Sequence, residues 1–232
     1  MLHLKIVLFI TFFAPLSLIG QSLIGLNLGS NQATFHTDPA NELITAHTSP
    51  AYQGSFFYKG RKNKHLNLMM ELNYRIKSND LWILNSGLNN AADIYGHFNL
   101  SYLSYSILPE VRFGRRFEWY LHVGPYLSYL LYSSFTGHEI GYGMSYPGIV
   151  AFNGFNTDAN KVIGSSEWGG LAGSGFNYKL SAKLNVNAEI RYFFCSPSMN
   201  FRSNDLGIVA GISYLLETFN PLGKLSKVLS LP

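Results

Sequence analysis

The chain has 232 residues, a formal net charge of +4, 13% charged and 15% aromatic residues, a length suited to one domain. A surplus this small, not gathered on one helix face, excludes a nucleic-acid binder, and the single Cys195 excludes an intramolecular disulfide. Beyond the N-terminus no unbroken apolar run reaches the ~20 residues of a membrane-spanning helix, so the apolar surface is distributed by alternation instead.

Residues 1–20 read as a secretory signal, with Lys5 as the positive region, Ile6 to Phe13 as the apolar region and Leu18-Ile19-Gly20 as the small-residue end. Cleavage is expected beside Gln21, and Pro15 argues against an uncleaved membrane helix. No cysteine follows the apolar region, so there is no lipoprotein acylation site.

Eight strands follow, because apolar and polar residues alternate with a period of two. The first spans about 22–33, with Ile24, Leu26 and Leu28 on one face. The second, about 50–59, sets Tyr52, Phe56 and Tyr58 against Gln53, Ser55 and Lys59. The third, about 64–77, is the cleanest: Leu66, Leu68, Met70, Leu72, Tyr74 and Ile76 oppose Asn67, Glu71, Asn73, Arg75 and Lys77. The fourth and fifth, about 98–114 and 118–133, meet at the basic turn Gly114-Arg115-Arg116-Phe117. The sixth, about 166–179, is Gly-rich and its facing cannot be read. The seventh, about 182–195, sets Leu184, Val186, Ile190, Tyr192 and Phe194 against Lys183, Asn185, Glu189 and Arg191. The eighth, about 205–217, sets Leu206, Ile208, Ile212 and Tyr214 against Gly207, Gly211 and Ser213.

The connections run long, short, long, short, long, short, medium: 34–49, 60–63, 78–97, 115–117, 134–165, 180–181 and 196–204. That asymmetry belongs to an all-β, antiparallel up-and-down transmembrane barrel of eight strands, with short periplasmic turns and longer extracellular loops. An even strand number puts both termini in the periplasm. Closure is also required physically, because hydrocarbon offers no partner for a free strand edge. Tyr52, Tyr58, Trp119, Tyr132, Trp168, Tyr192 and Tyr214 near the strand ends suit the aromatic girdles of the two interfaces. Pro221 stops the last strand, leaving the barrel as 21–219 and a periplasmic tail, 220–232, expected to be disordered or loosely attached.

An eight-stranded lumen is just wide enough for side chains to fill. The inward faces supply Glu71, Arg75, Glu110, Arg112, Lys183, Glu189 and Arg191, and buried charges must pair, so a salt-bridge plug is expected ahead of an ion path. Catalysis is not expected. His122 with Ser104, Ser106 or Tyr126, and the pair His138-Glu139, are the candidates, but no spacing fixes a nucleophile, a base and an orienting group. His97, His122 and His138 lack metal-ligand spacing, and no cofactor motif is present. The connection 134–165 holds Phe135, Tyr142, Tyr146, Phe152 and Phe155, together with Asp158 and Lys161. It reads either as a binding surface or as a loop folded over the barrel mouth.

The run Tyr102-Leu103-Ser104-Tyr105-Ser106-Ile107-Leu108 through Phe113, followed by Tyr120-Leu121-His122-Val123-Gly124-Pro125-Tyr126-Leu127, resembles the PorT-like outer-membrane β-barrel proteins of Bacteroidetes. Gly25-Leu26-Asn27-Leu28-Gly29 resembles their opening strand, while Ser104 and Ser106 stand where that family usually has Glu and Pro. The resemblance implies an eight-stranded barrel over about 22–219, a Gram-negative host, and an association with envelope or protein-secretion assemblies. It carries over no catalytic residues. The expected protein is a monomeric, non-enzymatic outer-membrane scaffold or surface-binding component, in contact with membrane lipid and, through its loops, with envelope proteins. A narrow channel and a lipid-modifying hydrolase are the alternatives.

Overall fold

The structure, a computed structural model, describes residues 21–36, 44–61, 65–86, 90–143, 146–157, 166–196 and 202–216. The expected signal segment 1–20 and tail 220–232 lie outside the described residues, as do Asp158 and Lys161.

The described residues form nine strands: β1 (Gln21–His36), β2 (Ile44–Arg61), β3 (Leu66–Ser86), β4 (Asn90–Gly114), β5 (Phe117–Gly143), β6 (Tyr146–Thr157), β7 (Ser166–Lys179), β8 (Leu184–Cys195) and β9 (Arg202–Leu216). All pairings are antiparallel, in the order β4-β3-β2-β1-β9-β8-β7-β5-β6, and β4 also pairs with β5. That last pairing closes eight strands into a barrel and leaves β6 outside the closed circuit, on the far end of β5. Closure gives every barrel strand two neighbours, as a hydrocarbon surround demands.

Alternation sets the two faces largely as the sequence predicts, although Met70, on the apolar face of β3, is buried. On β3, Leu66 and Tyr74 are exposed while Asn67, Glu71, Asn73 and Arg75 are buried. On β5, Trp119, Leu121, Val123, Leu127, Tyr129 and Leu131 all face outward. The facing of β7 is now defined: Trp168, Phe176 and Tyr178 point out, Glu167 and Leu171 point in. Six of the seven girdle aromatics are exposed on the outer wall, whereas Tyr58 is buried, its hydroxyl 2.6 Å from Ser22 Oγ.

The short turns lie at one end, together with the start of β1 (Gln21 opposite Arg61) and the end of β9 (Leu216 opposite Ser22). The β4–β5 turn depends on Gly114, whose φ of 106° excludes a side chain. In the β7–β8 turn the Ser181 hydroxyl accepts hydrogen bonds from the backbone N–H groups of Lys183 and Leu184.

At the opposite end the expected loops are largely strand. Residues 78–86 and 90–97 are the upper parts of β3 and β4, paired from Ser78–Asn99 to Ser86–Ala91. Within 134–165, β5 runs on to Gly143 and β6 folds back on it, with Phe135 opposite Thr157 and Ile140 opposite Phe152. The ladder continues there because antiparallel backbone pairing does not require both faces of the sheet to be covered. Within the expected loop 34–49, β2 begins at Ile44 and pairs with β3, Ile44 opposite Ile83, so strands β2 to β6 extend above the barrel.

Candidate functional site

The lumen is built from the inward half of each strand, and its charges are gathered into three groups. Near the short turns, Glu110 accepts from Lys59 (2.5 Å) and from Asn67 (2.6 Å), while Glu118 pairs with Arg112 (3.3 Å) and Lys179 (2.7 Å). In the second group Arg191 bridges Glu71 (2.8 Å) and Glu189 (2.9 Å), and Glu189 also accepts from the Tyr120 hydroxyl (2.9 Å) and lies 3.2 Å from His122 Nε2. In the third, Arg75 pairs with Glu167 (3.0 Å) and Asp205 (2.6 Å), and Lys77 with Glu167 (2.5 Å). The six cations named here match six carboxylates, which is the condition for holding charges out of water.

Apolar side chains fill the space between these groups. Phe57, Met69, Leu108, Tyr126, Leu171 and Phe193 form one buried cluster. Lys59 lies 5.6 Å from the Phe57 ring on one side of it, and the Arg75 guanidinium lies 4.0 Å from Phe193 and 5.3 Å from Tyr126 on the other. Inward glycines make room for the large groups. A Cβ at Gly173 would stand 2.7 Å from Glu189 Oε1 and closer still to His122 Nε2.

A second constellation lies on the outer wall, where β3, β4 and β5 leave the barrel. Asp80, Trp82, Tyr95, His97, Thr136 and His138 line an open groove of about 570 Å³. Cross-strand pairing places Asp80 opposite His97, Trp82 opposite Tyr95, and Tyr95 opposite His138. The rings stack in a row, Trp82 on Tyr95 at 6.3 Å and Tyr95 on His138 at 5.3 Å between centroids. His97 Nδ1 lies 2.6 Å from Asp80 Oδ1, and its Nε2 lies 3.0 Å from Ser78 Oγ. The Ser49 hydroxyl donates to the other Asp80 oxygen at 2.9 Å. A carboxylate on Nδ1 makes that nitrogen the donor in a neutral ring, which leaves Nε2 to accept the Ser78 proton.

A sequence family described as an outer membrane protein beta-barrel domain matches residues 17–195. The chain belongs to this family. No curated protein matches it. Among solved structures this outer-membrane barrel is similar to Neisserial surface protein A (10% identity, 84% of this chain and 98% of that one, TM-score 0.48). It is likewise similar to OprG of Pseudomonas aeruginosa (15% identity, 86% and 97%, TM-score 0.48). A third is Ail of Yersinia pestis, solved with the heparin analogue sucrose octasulfate (12% identity, 84% and 99%, TM-score 0.43).

In this outer-membrane barrel six of the seven predicted lumenal charges, Glu71, Arg75, Glu110, Arg112, Glu189 and Arg191, are buried inside. Lys183 is not: it is exposed in the β7–β8 turn, because that turn spans two more residues than predicted and β8 begins at Leu184. Glu189 and Arg191, two residues apart on one strand face, do meet, while Glu110 and Arg112, spaced alike, pair elsewhere: Glu110 with Lys59 and Arg112 with Glu118 across the turn. Lys59, Lys77, Lys179, Glu118, Glu167 and Asp205 complete the network and were not foreseen in it. Phe135 stacks on Phe98 at 4.1 Å. Tyr142, Tyr146, Phe152 and Phe155 belong to the β5–β6 strand pair, not to a loop, which corrects that expectation. His122 is enclosed in the lumen with Tyr120 and Glu189, and Ser104 bonds to Ser128. Among the described residues no cluster of metal-ligating side chains occurs.

Proposed function

We propose that this protein is a plugged outer-membrane barrel that acts as a surface-binding component of the cell envelope through its upper strands, and does not act as a diffusion channel. The observation that carries this reading is the lumen itself. Arg75, Glu71, Glu110 and Asp205 have no solvent exposure, and the Phe57–Phe193 cluster separates the charged groups along the bore. An ion crossing the barrel would have to break several buried pairs in succession. The placement of short turns and both strand termini at one end supports a periplasmic location for that end and an extracellular one for the upper parts of β2 to β6. The Tyr102–Phe113 and Tyr120–Leu127 runs support a place among the PorT-like barrels of Bacteroidetes, and hence a partner in an envelope or secretion assembly.

Two measurements test this. The purified barrel, recognised by its boiling-dependent gel mobility, is expected to give no discrete conductance steps in planar bilayers. Steps that change with Glu110→Gln or Arg112→Gln would replace the plug by a narrow channel. Protease added to intact cells is expected to cut between 144 and 165. Cleavage only after the outer membrane is opened would invert the orientation.

A further inference from the structure

We propose that Ser78, His97 and Asp80 form a hydrolytic site for carboxylic esters of membrane lipids. The spacing matches the demands of nucleophilic catalysis: serine hydroxyl to imidazole at 3.0 Å, imidazole to carboxylate at 2.6 Å, one partner on each ring nitrogen. Ser49 fixes the far oxygen of Asp80, so the carboxylate holds its orientation despite its exposure. Ser78 and Asp80 alternate with Lys77 and Asn79 on β3 and share the outward face, and the pairing of Asp80 with His97 brings the ring onto that face.

The depth of the site selects the substrate. The outward residues Leu66 to Ile76 on β3 cover about ten residue steps. At ~3.3 Å per residue and a tilt of ~40°, that is ~25 Å of height, the apolar band of a transmembrane barrel. Ser78 is the next outward residue, at the boundary where acyl chains join their head groups. Trp82, two outward positions further along β3, and its cross-strand partner Tyr95 are exposed, as aromatic rings at a lipid interface are. Thr136, the cross-strand partner of His97, lines the groove together with His97 and Asp80. Ser78 is buried, with 7% exposure, and its hydroxyl contacts His97 Nε2, which with Asp80 lines the groove.

In the reaction Ser78 Oγ bonds to the ester carbonyl carbon as its proton passes to His97 Nε2. The carbon–oxygen bond to the lipid alcohol breaks, and the alcohol leaves with that proton. Water then attacks the acyl-serine, His97 takes its proton and returns it to Oγ, and a fatty acid is released. Ser78 is the nucleophile, His97 the base and Asp80 a positioning residue.

The proposal rests on the reading of the chain as a membrane barrel with its upper sheet at one interface, whichever side that is, and its test separates the site from the orientation. The full-length protein is folded into phospholipid vesicles carrying a fluorescent acyl ester and treated, in parallel, with a fluorophosphonate. Expected are fatty-acid release and a phosphonyl adduct on the peptide bearing Ser78. Both should fall by about 100-fold or more in Ser78→Ala and His97→Ala, the loss typical of removing a nucleophile or general base. Asp80→Asn should slow release while leaving Ser78 present to react, and Lys183→Gln should change neither readout. Boiling-dependent mobility verifies folding of each variant. A folded barrel that forms no adduct and releases no acid overturns the site, and an adduct without release overturns the lipid ester as its substrate. If the adduct forms but protease on intact cells cannot reach the sheet, the orientation fails and the site stands.

Discussion

Asp205 serves two cations at once, lying 2.6 Å from Arg75 Nη1 and 3.5 Å from Lys77 Nζ with no solvent exposure. Neutralising it leaves a surplus positive charge where water cannot compensate. Asp205→Asn is therefore expected to cost about 3–5 kcal/mol, read as a lower urea midpoint for unfolding from lipid vesicles. Lys183→Gln, in the exposed turn, is expected to stay within ~0.5 kcal/mol. An equal loss for both would mean that the lumenal pairs contribute nothing specific. The contrast also marks what single residues disclose before a structure is known. Parity alone put Glu71, Arg75, Glu110, Arg112, Glu189 and Arg191 inside. It could not match partners, since Lys77 meets Glu167 across 90 residues and Ser203 across 126. Glu167 stayed hidden because the glycines of β7 carry no hydropathy signal. The inward apolar cluster had a signal that alternation reasoning passed over: Phe56-Phe57, Met69-Met70, Ile107-Leu108 and Phe193-Phe194 are apolar doublets, and in a two-period strand one member of each must face in.

At the scale of elements, the barrel circuit and its upper sheet are separable. β7 joins β5 only as far as Ser166 opposite Tyr129, and β6 joins β5 only from Phe135 upward. Removing the tip of the β5–β6 hairpin should therefore leave closure untouched. Replacing Glu139–Asn153 by Asn-Gly links His138 and Gly154, which are already paired, through the two-residue turn that suits an antiparallel hairpin. The variant is expected to keep its boiling-dependent mobility and to lose the envelope partners recovered by crosslinking on intact cells. Loss of the folded band would show that β6 is part of the barrel's own stability. These upper strands were not legible as strands because their sequences, such as Leu81-Trp82-Ile83-Leu84, do not alternate apolar with polar residues. Period-two hydropathy reports a strand only where one side is apolar, so it marked the strands inside the membrane and fell silent above it. The Ser78, Asp80 and His97 constellation was invisible for another reason: it is assembled by register across β3 and β4, and no spacing along the chain encodes that register.

The whole molecule inverts the usual arrangement of a soluble fold. Charged pairs occupy its centre, and a continuous belt of Leu, Ile, Val and aromatic side chains faces outward. A soluble sandwich with the same alternation would bury the belt and expose the charges, so the energetic cost of a charge on the outer wall distinguishes the two. Val123 is 58% exposed and lies between the girdle residues Trp119 and Tyr132. On a surface facing water, Val123→Arg would fall within ~0.5 kcal/mol. In the middle of a bilayer it should cost ~2–4 kcal/mol, falling to ~0–1 kcal/mol at the interface. Trp82→Arg, beyond the apolar band on the same wall, supplies the interfacial comparison. Unfolding from vesicles is expected to rank Val123→Arg well below Trp82→Arg in stability. Thinner acyl chains should narrow the gap, because the position of Val123 then lies nearer to water. Equal stabilities at both depths would place the outer belt in contact with something other than lipid, and the argument from depth to the Ser78 substrate would fall with it.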